Sequence, residues 1–97
     1  MRGRSTKIEV QQIGSDEPMI FSVAVADSAG STRHRVTLSQ ESYESLTKGK
    51  ITPLQCVEAA FRFLLERESK SDLLASFDVN VIKLSFPSFE REFQNYL

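Results

Sequence analysis

One cysteine and one histidine stand among the 97 residues. A lone cysteine cannot close an internal disulfide, and with a lone histidine it cannot complete a zinc ligand set. No metal or other cofactor is therefore expected, and a reducing compartment suits the chain. No apolar run approaches the ~20 residues that a membrane-spanning helix needs. The basic opening MRGRSTK leads into a strand-like segment rather than the apolar stretch of a secretory signal, so a cytoplasmic location is expected. A dominant charge of one sign is also missing. Twelve Lys and Arg against thirteen Asp and Glu leave a net −1, which gives no general attraction to nucleic acid or anionic lipid. Any polyanion contact must be local. No GxGxxG, GxxxxGK(S/T) or GxSxG run occurs, and HExxH would need a second histidine. An enzyme is the least expected class.

What is present describes a folded domain. Hydrophobic residues make up 40% of the chain, seven of them Phe, without low-complexity tract, internal repeat or linker. One domain over residues 1–97 is expected, with 1–5 as a flexible basic N-terminus. The clearest segment is Ile51 to Glu68. Thr52 and Gln55 form a capping box, Pro53 takes the first helical position, and Ile51 and Cys56 are placed as a hydrophobic staple. Leu54, Val57, Ala60, Phe61, Leu64 and Leu65 make one apolar stripe, with Glu58, Arg62 and Glu66 opposite at i, i+4 spacing. A helix over 53–68 would be about 24 Å long and span a domain of this size.

Upstream, the apolar alternation of period two predicts strands over 6–13, 20–26 and 33–38. Ile8 and Val10, then Phe21, Val23 and Val25, then His34, Val36 and Leu38 share the inward face. The short connections, one containing Gly30, make an antiparallel meander. Ser39 caps a helix over 40–48 that Gly49 stops. Downstream of the long helix, Ser71 and Asp72 suggest a short helix over 72–77. VNVIKLSF is rich enough in β-branched residues to read as a strand, but Asp78 as a cap favours helix over 79–84. Pro87 opens a last helix over 88–96 in which Phe89, Phe93 and Leu97 recur every four residues. The fold class is α+β: a three-stranded meander with helices on one face.

Two surfaces stand out as candidate sites. In a meander the first and third strands run the same way, so Lys7, Arg33 and Arg35 should lie toward one end of the sheet, with Arg2 and Arg4 extending from it. Arg33, Arg35 and Thr37 would face away from the helices, as a polyanion or acidic-peptide contact or as a solvated basic rim. The second surface is the tail, where Phe86, Phe89, Phe93 and Tyr96 either complete the core or form an exposed patch for a partner or a second copy. Cys56 lies in the first turns of the long helix, where the dipole can lower a thiol pKa, although a free cysteine is more often a buried small hydrophobe. His34 reads as a structural histidine near the sheet end.

Residues 33–68, a strand with alternating Arg and Thr followed by two helices, the second capped by Thr52, resemble a ribbon-helix-helix DNA-binding module. The resemblance implies a dimer whose paired strands present Arg33, Arg35 and Thr37 to the major groove. The wider layout, from VTLS through LLERE to FD and FP, is similar to small bacterial single-domain proteins and assigns no activity. The sequence thus leads to a non-catalytic interaction domain that binds a protein partner or itself. The DNA-binding regulator is the alternative, and a thiol sensor acting through Cys56 is a third reading.

Overall fold

Thr52 accepts the Gln55 N–H at 3.1 Å while the Gln55 amide oxygen accepts the Thr52 N–H at 3.0 Å, so the capping box opens the helix on which the domain packs. The structure, a computed structural model, describes residues 6–97. Three strands come first: β1 (Lys7–Gly14), β2 (Met19–Asp27) and β3 (Gly30–Leu38), paired antiparallel in the order β1-β2-β3. Helices α1 (Gln40–Thr47) and α2 (Pro53–Leu65) follow, then a short strand β4 (Ser76–Asp78), and helices α3 (Ile82–Ser85) and α4 (Phe89–Phe93). The fold is α+β, an antiparallel meander followed by helices.

Alternation decides which face the helices cover. Phe21, Val23, Val25, His34, Val36 and Leu38 are buried, against α2 residues Val57, Ala60, Phe61 and Leu64. Their neighbours along each strand stay at least partly in solvent. The β2–β3 hairpin turns through Ser28 and Ala29, where Asp27 accepts the Ala29 N–H at 2.9 Å and Gly30 adopts φ 142°. A glycine suits that φ because a Cβ would be strained there. Ser39 caps α1 by accepting the Ser42 N–H at 3.0 Å, and the helix ends where Lys48 (φ 54°) and Gly49 (φ 77°) turn left-handed.

Helix α2 stops at Leu65 instead of running to 68, where the Arg67 N–H turns to the Leu64 carbonyl at 2.9 Å, three residues back, and the Phe63 carbonyl accepts from the Arg67 guanidinium at 2.9 Å instead. Residues 72–77 are a larger departure from the expected helix. A 3-10 turn over Lys70–Asp72 precedes β4, which pairs parallel with β3 through Arg35↔Ser76, Val36↔Phe77 and Thr37↔Asp78. Strand pairing wins there because Arg35 N–H reaches the Ala75 carbonyl at 2.8 Å, turning the segment's backbone groups toward the sheet. The sheet thus has four strands, three of them the expected meander. Over residues 79–84 the helical reading holds: Asp78 accepts the Asn80 N–H at 2.8 Å, and a 3-10 turn over Val79–Val81 runs into α3. The last helix is divided into α4 and a 3-10 turn over Gln94–Tyr96.

Candidate functional site

On the face of the sheet away from the helices, pairing sets the residues in rows: Lys7, Ala26 and Ser31; Glu9, Ala24 and Arg33; Gln11, Ser22 and Arg35. In these three rows the middle strand contributes only Ala26, Ala24 and Ser22, so the flanking strands rise on either side of a shallow, half-buried floor that Ile20 closes at one end. Arg33 and Arg35 occupy one column of β3, both exposed. Among the described residues neither has a carboxylate within ion-pair distance. Lys7 shares the face but stands two strands away and is paired with Glu9 at 3.4 Å. Thr37 is already committed, donating its hydroxyl to Asp78 at 2.6 Å. Arg2 and Arg4 lie outside the described residues. The structure therefore places Arg33, Arg35 and Thr37 in one column of β3, with the Thr37 hydroxyl taken up by Asp78, and sets Lys7 two strands away.

The ribbon-helix-helix geometry is not available to β3. That module needs its strand free to pair with a dimer mate, whereas β3 lies between β2 and β4 and both its edges are engaged over Arg35–Thr37. Asp78 beside Thr37 also puts a carboxylate where a phosphate would approach.

Of the two readings of the tail aromatics, core or exposed patch, their burial supports the core. Phe89 and Phe93 are buried, while Phe86 and Tyr96 are half-buried. Phe63 of α2 is their common neighbour, meeting the rings of Phe89 at 4.8 Å, Phe86 at 5.6 Å and Tyr96 at 6.4 Å, each edge-on. The tail completes the core over α2, because edge-to-face packing on an already buried ring removes more apolar surface from water than exposure in a patch. As a partner surface, Phe89 and Phe93 are withdrawn.

His34 and Cys56 are committed to the interior. The Leu74 carbonyl can only accept, so His34 Nδ1 carries the proton and donates at 2.7 Å. Nε2 then accepts from the Thr32 hydroxyl at 2.8 Å, and the ring tilts against Phe61 at 5.5 Å. Cys56 is fully buried, and burial pushes its thiol up to about 12. Desolvation disfavours the thiolate, the opposite of what a helix dipole by itself would do. An alkylating reagent should consume this thiol more than about a thousandfold slower in the native protein than in denaturant, since reaction waits for the domain to open. A native rate near that of a free thiol would restore the sensor reading.

A groove on the helix side was not legible from spacing. It holds about 220 Å³ between the end of α2, the 3-10 turn over Lys70–Asp72, β4 and α3, with Phe77 and Phe86 among its lining. A second cleft of about 240 Å³, between α1 and the α3–α4 region, is lined by Ser42, Ser45, Lys83 and Glu90 among others. Lys83 and Glu90 pair there at 3.7 Å. The serines have no histidine to activate them, since His34 is the chain's single histidine and both its ring nitrogens are engaged in the core. No protein-family model, curated protein or solved structure matches this chain, so the functional reading rests on its own residues.

Proposed function

We propose that this domain is a non-catalytic interaction module that binds a protein partner across the helix-free face of its sheet. The observation that supports the reading most is the Arg33–Arg35 column, which rises beside the small-residue floor of Ser22 and Ala24 without a carboxylate partner among the described residues. Guanidinium groups one pleat apart offer planar, forked donors to carboxylates, so an acidic segment of a partner suits the surface. The side chains best fitted to nucleophile or base work, Cys56 and His34, are packed into the core instead.

A photo-crosslinking residue at Ala24 tests the proposal. In cells it should trap a partner, and the double substitution Arg33→Glu, Arg35→Glu should reduce that product by about tenfold or more, since each lost charge-assisted hydrogen bond is worth roughly 1.5–3 kcal/mol. Both side chains are exposed, so the thermal midpoint should move only slightly. An undiminished crosslink in the double variant would remove the reading.

A further inference from the structure

Two exposed large apolar side chains line the groove on the helix side, and a third stands beside it. Leu74 is 59% exposed and Val81 37%, and both line it; Leu84, 76% exposed, follows Val81 by one helical turn. Their ring-lined cavity of about 220 Å³ is smaller than the roughly 300–1,000 Å³ typical of small-molecule sites. It has the size to take side-chain anchors rather than a cofactor.

Charge says which anchors. Glu68 and Asp72 line the groove too, and among the described residues no basic side chain does. The cations nearby in the chain are turned to other partners: Lys70 to Asp27 at 3.0 Å, Arg67 to Glu92, and Lys83 to Glu90. The Lys70–Asp27 pair is largely covered, and the hydrogen bond from Lys70 is the main reason the Asp27 carboxyl lies below its ordinary value. Lys70 is thus held away from the rim. Asp72 accepts only the Ser69 hydroxyl, at 2.9 Å, and among the described residues neither Glu68 nor Asp72 has a cation within ion-pair distance.

We infer that this groove is a second docking site, for a segment of a partner protein that inserts large apolar side chains and carries lysine or arginine beside them. It is chemically the reverse of the arginine-bearing sheet face and independent of it. Apolar burial would anchor the segment, and the unpaired carboxylates would select its flanks.

Two synthetic peptides with the same leucine and phenylalanine anchors, one flanked by lysines and one by glutamates, test the inference by titration into isotope-labelled domain. The lysine peptide should shift amide resonances within 68–86 and bind about tenfold or more tighter than the glutamate peptide, with the difference shrinking as salt is added. Glu68→Lys with Asp72→Lys should invert the preference. Leu74→Ser, at an exposed position, should weaken both peptides while the rest of the spectrum stays native. Equal affinities, no shifts with either peptide, or shifts confined to the sheet face would overturn the inference. So would a concentration-dependent rise in the mass of the free domain with shifts at the groove, which would assign it to a second copy.

Discussion

Replacing Phe63 by alanine should lower the unfolding free energy by about 3–5 kcal/mol, the usual loss for a large aromatic removed from a core. Phe63 has no exposed surface, and three tail rings close on it edge-on. The Arg67 guanidinium lies 3.7 Å from its ring centroid, adding a cation–π contact, and donates to the Phe63 carbonyl at 2.9 Å. A domain of this size has a total stability of about 5–15 kcal/mol, so the loss should be plain as a lower denaturant midpoint. The same measurement on Phe93→Ala separates the readings of the tail. A core ring should show a loss of comparable size, whereas a partner-surface ring would leave the midpoint almost unchanged.

His34→Leu should destabilise the domain by about 1–3 kcal/mol, the cost of leaving buried polar groups without partners. The effect should also be local. His34 ties β3 to the Leu74 carbonyl, 40 residues away in sequence, next to the Arg35–Ala75 backbone bond. Without the imidazole donor, the amides of 73–78 should exchange with solvent faster than those of β2, measured by native-state hydrogen exchange. Uniform acceleration over the whole sheet would show that His34 contributes bulk and not a tether. Since Leu74 is a lip of the groove, the variant should also weaken the lysine-flanked peptide.

The parts of the fold legible in the sequence are those set by neighbouring residues. The Thr52–Gln55 box, the Ser39 cap and the two-residue alternation of β2 and β3 are local devices, and each is in place. Strand β4 is not local. Its three residues take their conformation from β3, whereas the nearby Ser71 and Asp72 imitate a helix start. The position of Arg33 and Arg35 on the uncovered face follows from strand parity and was readable. The groove was not, because its walls come from separate elements that meet only once β4 has docked. Leu74 and Phe77 stand three residues apart, a spacing that suits the expected helix over 72–77 and so gave no sign of a groove.

Parallel pairing of β3 with β4 also bears on the order in which the domain assembles. The hairpins close short loops, whereas Val36 and Phe77 meet only after the chain has enclosed both long helices, and closing a larger loop costs more entropy. Contacts of high sequence separation are slow to form, so the hairpins of the meander are the natural first pairings of the sheet and β4 the last strand to join. The strand that joins last has only three residues with which to hold. A partner seated across Leu74 and Val81 would therefore fasten the least local strand pairing of the sheet, and its binding would register as slower unfolding of the domain as well as affinity.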